Sequence, residues 1–242
     1  MRDFFKIFCA CVGSFAALNG WFSFKYMMSA VYLQPVSVYL EQVGETSNNG
    51  IDTSIDLIEH YLDMAMSYDE NASLLEKKGE LQIAKAFDLR KKNKDEHFSD
   101  TVKLENTKEY LEAALHYFDK SLQQRPMWAR TYVLYAYTKA LLDEFDEKFY
   151  TAFERARQYG RDSFQVQSGL TQLGLVFWDK LTLEDQLKTK ESFIKAYRLA
   201  PGKTIAFASD TQKAYMACLW VIEEKVHAAE CKAFLGLNKK RV

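Results

Sequence analysis

The stretch Ala114-Leu-His-Tyr-Phe118-Asp-Lys-Ser121-Leu-Gln-Gln-Arg-Pro126 decides the fold, because its spacing returns twice further along the chain. Small and aromatic residues at steps of four, three and five mark one face of a helix that closes on a helix-stopping residue. Phe149, Phe153, Ala156 and Arg161 keep the same steps, and Thr189, Phe193, Ala196 and Pro201 keep them again. The closing residues fall 35 and then 40 residues apart, the period of a helix pair with insertions. A partner helix is also visible. Leu170, Leu173, Gly174 and Phe177 follow a large-x-x-Leu-Gly-x-x-aromatic order, in which glycine lets two helix backbones approach. Tyr132, Tyr135 and Ala136 form a weaker copy, with Lys139 where an aromatic is expected.

These spacings match the tetratricopeptide motif, and they predict an all-α fold of tetratricopeptide-like helix-pair repeats wound as a right-handed superhelix. The repeats are expected over residues 108–242, with a final helix from about Ser209 to Phe234 acting as the cap. Upstream, residues 51–107 read as an irregular helical hairpin: Asp52-Thr53-Ser54 offers caps to a helix carrying Ile55, Ile58, Leu62 and Ala65. From Leu89 to Thr107 the chain is dense in charge and reads as a solvated helix end and connection.

Composition agrees. Only 3 Pro and 10 Gly punctuate 242 residues, too few for a sandwich or a Gly-looped nucleotide fold, while 48% hydrophobic content fills a core. The net charge of -1 supplies no field for nucleic acid, which is not expected as a partner.

Residues 1–40 are expected to be a membrane anchor followed by a juxtamembrane helix. From Ile7 to Phe24 no residue carries a formal charge, and a helix over that run spans about 27 Å, close to the hydrocarbon thickness of a bilayer. Arg2 and Lys6 precede it, and Trp21, Phe22, Phe24 and Tyr26 cluster at its far end with Lys25, which favours the N-terminus inside. Ser14-Phe15-Ala16 has the form a signal peptidase cuts, but the apolar run continues past it, as in an uncleaved anchor. The stretch from Tyr26 to Leu40 also lacks charge and is broken by Gln34-Pro35.

Little in the chain suggests chemistry. His60, His97, His116 and His227 have no metal-ligand spacing, and no phosphate loop, dinucleotide fingerprint or nucleophile elbow occurs, so neither catalysis, cofactor nor metal is expected. Asp143, Glu144, Asp146 and Glu147 read as a solvated turn between helices rather than as an acid and base pair. Cys218 and Cys231 cannot be bridged along one continuous helix, which separates them by about 20 Å; a turn between them makes a disulfide feasible. For binding, first-helix residues outside the core are expected to line a groove: Arg130, Val133, Tyr137, Ser168, Thr171 and Trp178. Arg130, Tyr137 and Trp178 suit a sugar ring or a peptide, although Trp178 fits the core slightly better, and Trp128 reads as packing between repeats.

Pro126-Met-Trp128, Tyr132-x-x-Tyr135-Ala136-x-x-Lys139, Phe145-Asp146-x-x-Phe149-x-x-Ala152-Phe153-x-x-Ala156, Val166-Gln167 and Gly174-Leu175-x-x-Trp178-x-x-Leu181 form a series that resembles the VpsP family of exopolysaccharide-biosynthesis proteins. It covers roughly Ala114 to Pro201; Arg161-Asp162 departs from the family's more usual Gly-Pro turn. The resemblance implies a non-catalytic adaptor anchored in the bacterial inner membrane, its C-terminal domain in the periplasm and its partners the proteins of a polysaccharide synthesis and export machine. A periplasmic glycan-binding or glycan-chain-modulating protein is the alternative, and an inverted topology implies a cytoplasmic assembly factor.

Overall fold

A computed structural model describes residues 21, 23–34, 36–37, 55–95, 100–224 and 229–235. All regular structure among them is helical. The expected anchor lies outside the described residues except for Trp21, Ser23 and Phe24, and no helix among the described residues is long and apolar enough to cross a membrane.

The chain forms two compact units that meet in sequence between Gln124 and Arg125. The first holds helical residues 23–34 and 36–37, then α1 (Ile55–Tyr68), α2 (Ala72–Asp95) and α3 (Asp100–Gln124). Asn71 starts α2 by accepting the N–H groups of Ser73 and Leu74 at 3.0 and 3.1 Å. Val36, Ile58, Leu62, Ala65, Leu74 and Leu81 make one core cluster, and Tyr32 stacks against Tyr68 with ring centroids 6.0 Å apart. The α2–α3 contact is the closest in this unit: a Cβ on Gly79 would stand 2.4 Å from the Phe118 ring, so only glycine admits that approach. Ser121 then donates to the Ala72 carbonyl at 2.8 Å.

The second unit comprises α4 (Ala129–Leu141), α5 (Glu147–Tyr159), α6 (Phe164–Val176), a 3-10 turn at Trp178–Lys180, α7 (Leu183–Leu199), α8 (Pro201–Asp210), α9 (Ala214–Glu223) and α10 (Ala229–Phe234). The helices pack in consecutive pairs, α4 with α5, α6 with α7 and α8 with α9, and each pair touches the next. First helices meet first helices, α4 on α6 and α6 on α8. Side-chain caps define the starts: Asp146 for α5, Ser163 for α6 and Thr182 for α7, each accepting a backbone N–H three residues on. Pro201 takes the first turn of α8, where its missing N–H costs nothing.

The residues that set the sequence period are the ones the packing hides. Ala114, Phe118 and Ser121 on α3, Phe149, Phe153 and Ala156 on α5, and Thr189, Phe193 and Ala196 on α7 are essentially without exposure. Burial of each phenylalanine contributes about 1.5–3 kcal/mol. Gly174 of α6 repeats the role of Gly79, since a Cβ there would lie 2.2 Å from the Thr189 side chain.

The C-terminal end differs from expectation. In place of one helix from Ser209 to Phe234, three short helices fold over one another, α9 on α8 and α10 on both. Thr211 ends α8 by donating its hydroxyl to the carbonyls of Ala208 and Phe207 at 3.0 and 3.3 Å. Gln212 adopts a left-handed φ of 58°, which turns the Lys213 N–H back onto the Ala208 carbonyl. Further on, α9 ends at Glu223 and α10 packs back on it, with Cys218 of α9 and Cys231 of α10 at a Cα separation of 5.2 Å in a disulfide.

Candidate functional site

The residues expected to line a groove differ in exposure, with Arg130 and Tyr137 on one face of α4. Arg130 is half-buried near the start of α4, and Tyr137 lies two turns along, about 10 Å down the axis. The Tyr137 ring meets the edge of Phe177 at 6.3 Å, which places it toward the Trp178 end of the neighbouring pair. Thr171 is fully buried and its hydroxyl donates to the Gln167 carbonyl at 2.8 Å, so it presents nothing to a ligand. Val133 and Ser168 are buried as well. Trp178 is half-buried with its ring 5.3 Å from that of Trp220, which in turn meets the edge of Phe193 at 5.8 Å.

The acidic turn between α4 and α5 is not merely solvated. Lys139, buried on α4, extends its amine beneath the turn and donates to Asp146 Oδ2 at 2.7 Å and to Glu144. Asp146 uses its other oxygen to cap α5, accepting from the Phe149 N–H at 3.0 Å. Burial alone would raise the Asp146 carboxyl, but the Lys139 hydrogen bond and charge, with the backbone N–H groups, hold it below the ordinary aspartate value. Burial likewise opposes the charge on Lys139, and its two carboxylate partners overcome this and raise it. Glu144 and Asp146 thus hold the turn to α4, and Asp143 pairs with Lys180 at 2.8 Å.

An open cleft of about 420 Å³ runs beside α7, lined by Leu187, Lys190, Ile194, Lys195, Arg198 and Glu224. Lys190 in it is held by Glu223 at 2.8 Å and Glu224 at 3.5 Å. No group of acidic, histidine or cysteine side chains among the described residues is arranged to hold a metal ion.

A surface the sequence reading passed over lies at the turn Arg125–Trp128, which the Trp128 N–H closes onto the Arg125 carbonyl at 3.1 Å. Trp128, read from the sequence as packing between repeats, is 46% exposed, and Met127 is 70% exposed. The Arg125 guanidinium lies 4.8 Å from the Trp128 ring centre. Arg155 of α5 lies over the Tyr132 ring at 5.6 Å and donates to its hydroxyl at 3.0 Å, while that hydroxyl donates to the Pro126 carbonyl at 2.9 Å. Tyr159, 37% exposed, sits 6.0 Å from Tyr132. The signal available in sequence was Arg125-Pro-Met-Trp128, a cation, a thioether and an indole gathered around one proline turn.

No family model, curated protein or solved structure matches the chain significantly.

Proposed function

We propose that the chain is a tetratricopeptide-like adaptor, tethered to the bacterial inner membrane by residues 7–24, whose C-terminal helix pairs stand in the periplasm and gather protein components of an exopolysaccharide synthesis and export machine. The observation that carries the repeat reading is the recurrence of one buried triad on α3, α5 and α7, with glycine at the closest helix approach in the first and last of these pairs. First-helix to first-helix contact along α4, α6 and α8 supports it, because such stacking leaves successive faces open to a partner. The Cys218–Cys231 disulfide supports an oxidising compartment. Resemblance of residues 114–201 to the VpsP family supplies the polysaccharide context. The mechanism is effective concentration: two weak contacts held on one membrane-tethered scaffold make the second intramolecular and raise avidity without reaction chemistry.

Paired reporters fused to the C-terminus, one active only outside the cytoplasm and one only inside, test the placement, together with mass analysis of the mature N-terminus. An outside signal on a chain that retains its first residues is the expected result. An inside signal overturns the periplasmic reading, and a crosslinked pull-down that lacks every polysaccharide-export component overturns the adaptor's context.

A further inference from the structure

We infer that the surface formed by Arg125, Met127, Trp128, Tyr132, Arg155 and Tyr159 docks an acidic segment of a partner protein that carries an apolar side chain among its carboxylates. Arg125 and Arg155 have no carboxylate partner among the described residues, a state they share with Arg161, Lys195 and Arg198, whereas Lys139, Arg157, Lys180, Lys188 and Lys190 of the same unit each have one. Both unpaired guanidinium groups are nonetheless ordered, Arg125 by the Trp128 ring and Arg155 by the ring and hydroxyl of Tyr132. Arg155 is exposed and Arg125 half-buried with its Nε enclosed, so an incoming carboxylate meets their terminal nitrogens, already held in place, with little further loss of freedom.

The apolar part of the surface narrows the partner. Met127 is 70% exposed, and a flexible thioether so placed suits an apolar side chain better than a hydrated sugar. The Trp128 ring already carries Arg125 over it, which removes a face on which a sugar would stack. Trp, Tyr and Arg are the side chains that concentrate binding energy at protein interfaces. The hydrogen bonds from Arg155 to Tyr132 and from Tyr132 to the Pro126 carbonyl make the patch one piece, so the turn and α5 present a fixed spacing between the two cations.

The inference rests on the adaptor reading, but the two fail separately: absence of peptide binding leaves the reporter result standing, and an inside reporter signal leaves the titration standing. The test is fluorescence anisotropy of the full chain in mild detergent with a labelled peptide in which glutamates flank two leucines. Saturable binding is expected, weakened at least about tenfold by Arg125→Glu or by Trp128→Ala, as for a central interface residue. Arg198→Glu in the α7 cleft, a matched charge change elsewhere, is expected to bind as the parent does. Circular dichroism of each variant keeps a folding defect from passing as a binding one, and a misfolded Trp128→Ala is replaced by Met127→Glu. The inference is overturned by no binding at about 1 mM peptide, by equal binding of the peptide with glutamine for glutamate, by equal loss in Arg198→Glu, or by an oligouronate that displaces the peptide at lower concentration.

Discussion

Lys139 holds a helix position at which the repeat spacing expects an aromatic ring, and the turn it supports accounts for the exchange. Its alkyl stem fills the ring's place while its amine takes two carboxylates from the following turn. Lys139→Met keeps much of the volume and removes the donor. Stability is expected to fall by about 1–2 kcal/mol, moderate because Glu144 and Asp146 remain about half exposed. The pH dependence follows from the directions. A carboxyl lowered in the fold, as in Asp146, stabilises at neutral pH and loses that contribution as pH falls through its folded value; Glu59, lowered by Lys85 and Lys78 against its burial, acts the same way. An amine raised in the fold, as in Lys139 and Lys78, stabilises below its unfolded value and loses that contribution as pH rises through its folded one. The melting temperature is therefore expected to be flat near neutrality and to drop below about pH 4 and above about pH 10. In Lys139→Met the acid limb should be shallower, and an unchanged limb argues that the clasp contributes nothing.

Helix pairs show how far a sequence discloses its own packing. Gly174→Ala is expected to cost about 1–3 kcal/mol in chemical denaturation, because the new methyl meets the Thr189 side chain. Pairing it with Thr189→Gly should recover part of that loss, and additive losses in the double variant mean that the two helices do not meet there. This contact was legible because a buried triad, a glycine and a helical period all lie in local sequence. The break after α8 was not, since no glycine or proline marks it; a threonine hydroxyl and a left-handed glutamine make the reversal, and neither has a spacing to recognise. The exposed aromatic surface was still less legible. Thr171 and Trp128 exchanged roles, because helical period assigns a face but cannot say which face another helix covers. The disulfide required helix to end between Cys218 and Cys231, as it does at Glu223, and no spacing in the sequence marks that end. In a Cys9→Ser, Cys11→Ser background, thiol alkylation in denaturant is expected to add nothing before reduction and two labels after it. Loss of the bridge through Cys231→Ala should cost about 2–4 kcal/mol.

Across the whole chain, the described helices divide into two units, each with its own buried cluster. Helical residues 23–34 close the first of these, with Tyr32 and Leu33 turned to α1 while Phe24, Met27 and Val31 remain exposed on another side. That stripe begins where the uncharged run Ile7 to Phe24 ends, on the other side of Lys25, and removal of residues 1–24 is expected to move the protein from the membrane pellet to the supernatant; a full chain already in the supernatant refutes the tether.

The second unit is built from contacts between successive helix pairs, so its terminal pair has a neighbour on one side only. Such a pair should be the first to fray, as the last coin of a row has nothing to lean on. The Cys218–Cys231 bridge ties α9 to α10 at that place, and Tyr197 of α7 reaches across to Glu230 at 3.0 Å. Redox state therefore decides where unravelling begins. Oxidised, amide protons of α8 and α9 should exchange about as slowly as those of α6 and α7; reduced, exchange should spread inward from the C-terminal end, and an oxidising compartment would hold the catch closed.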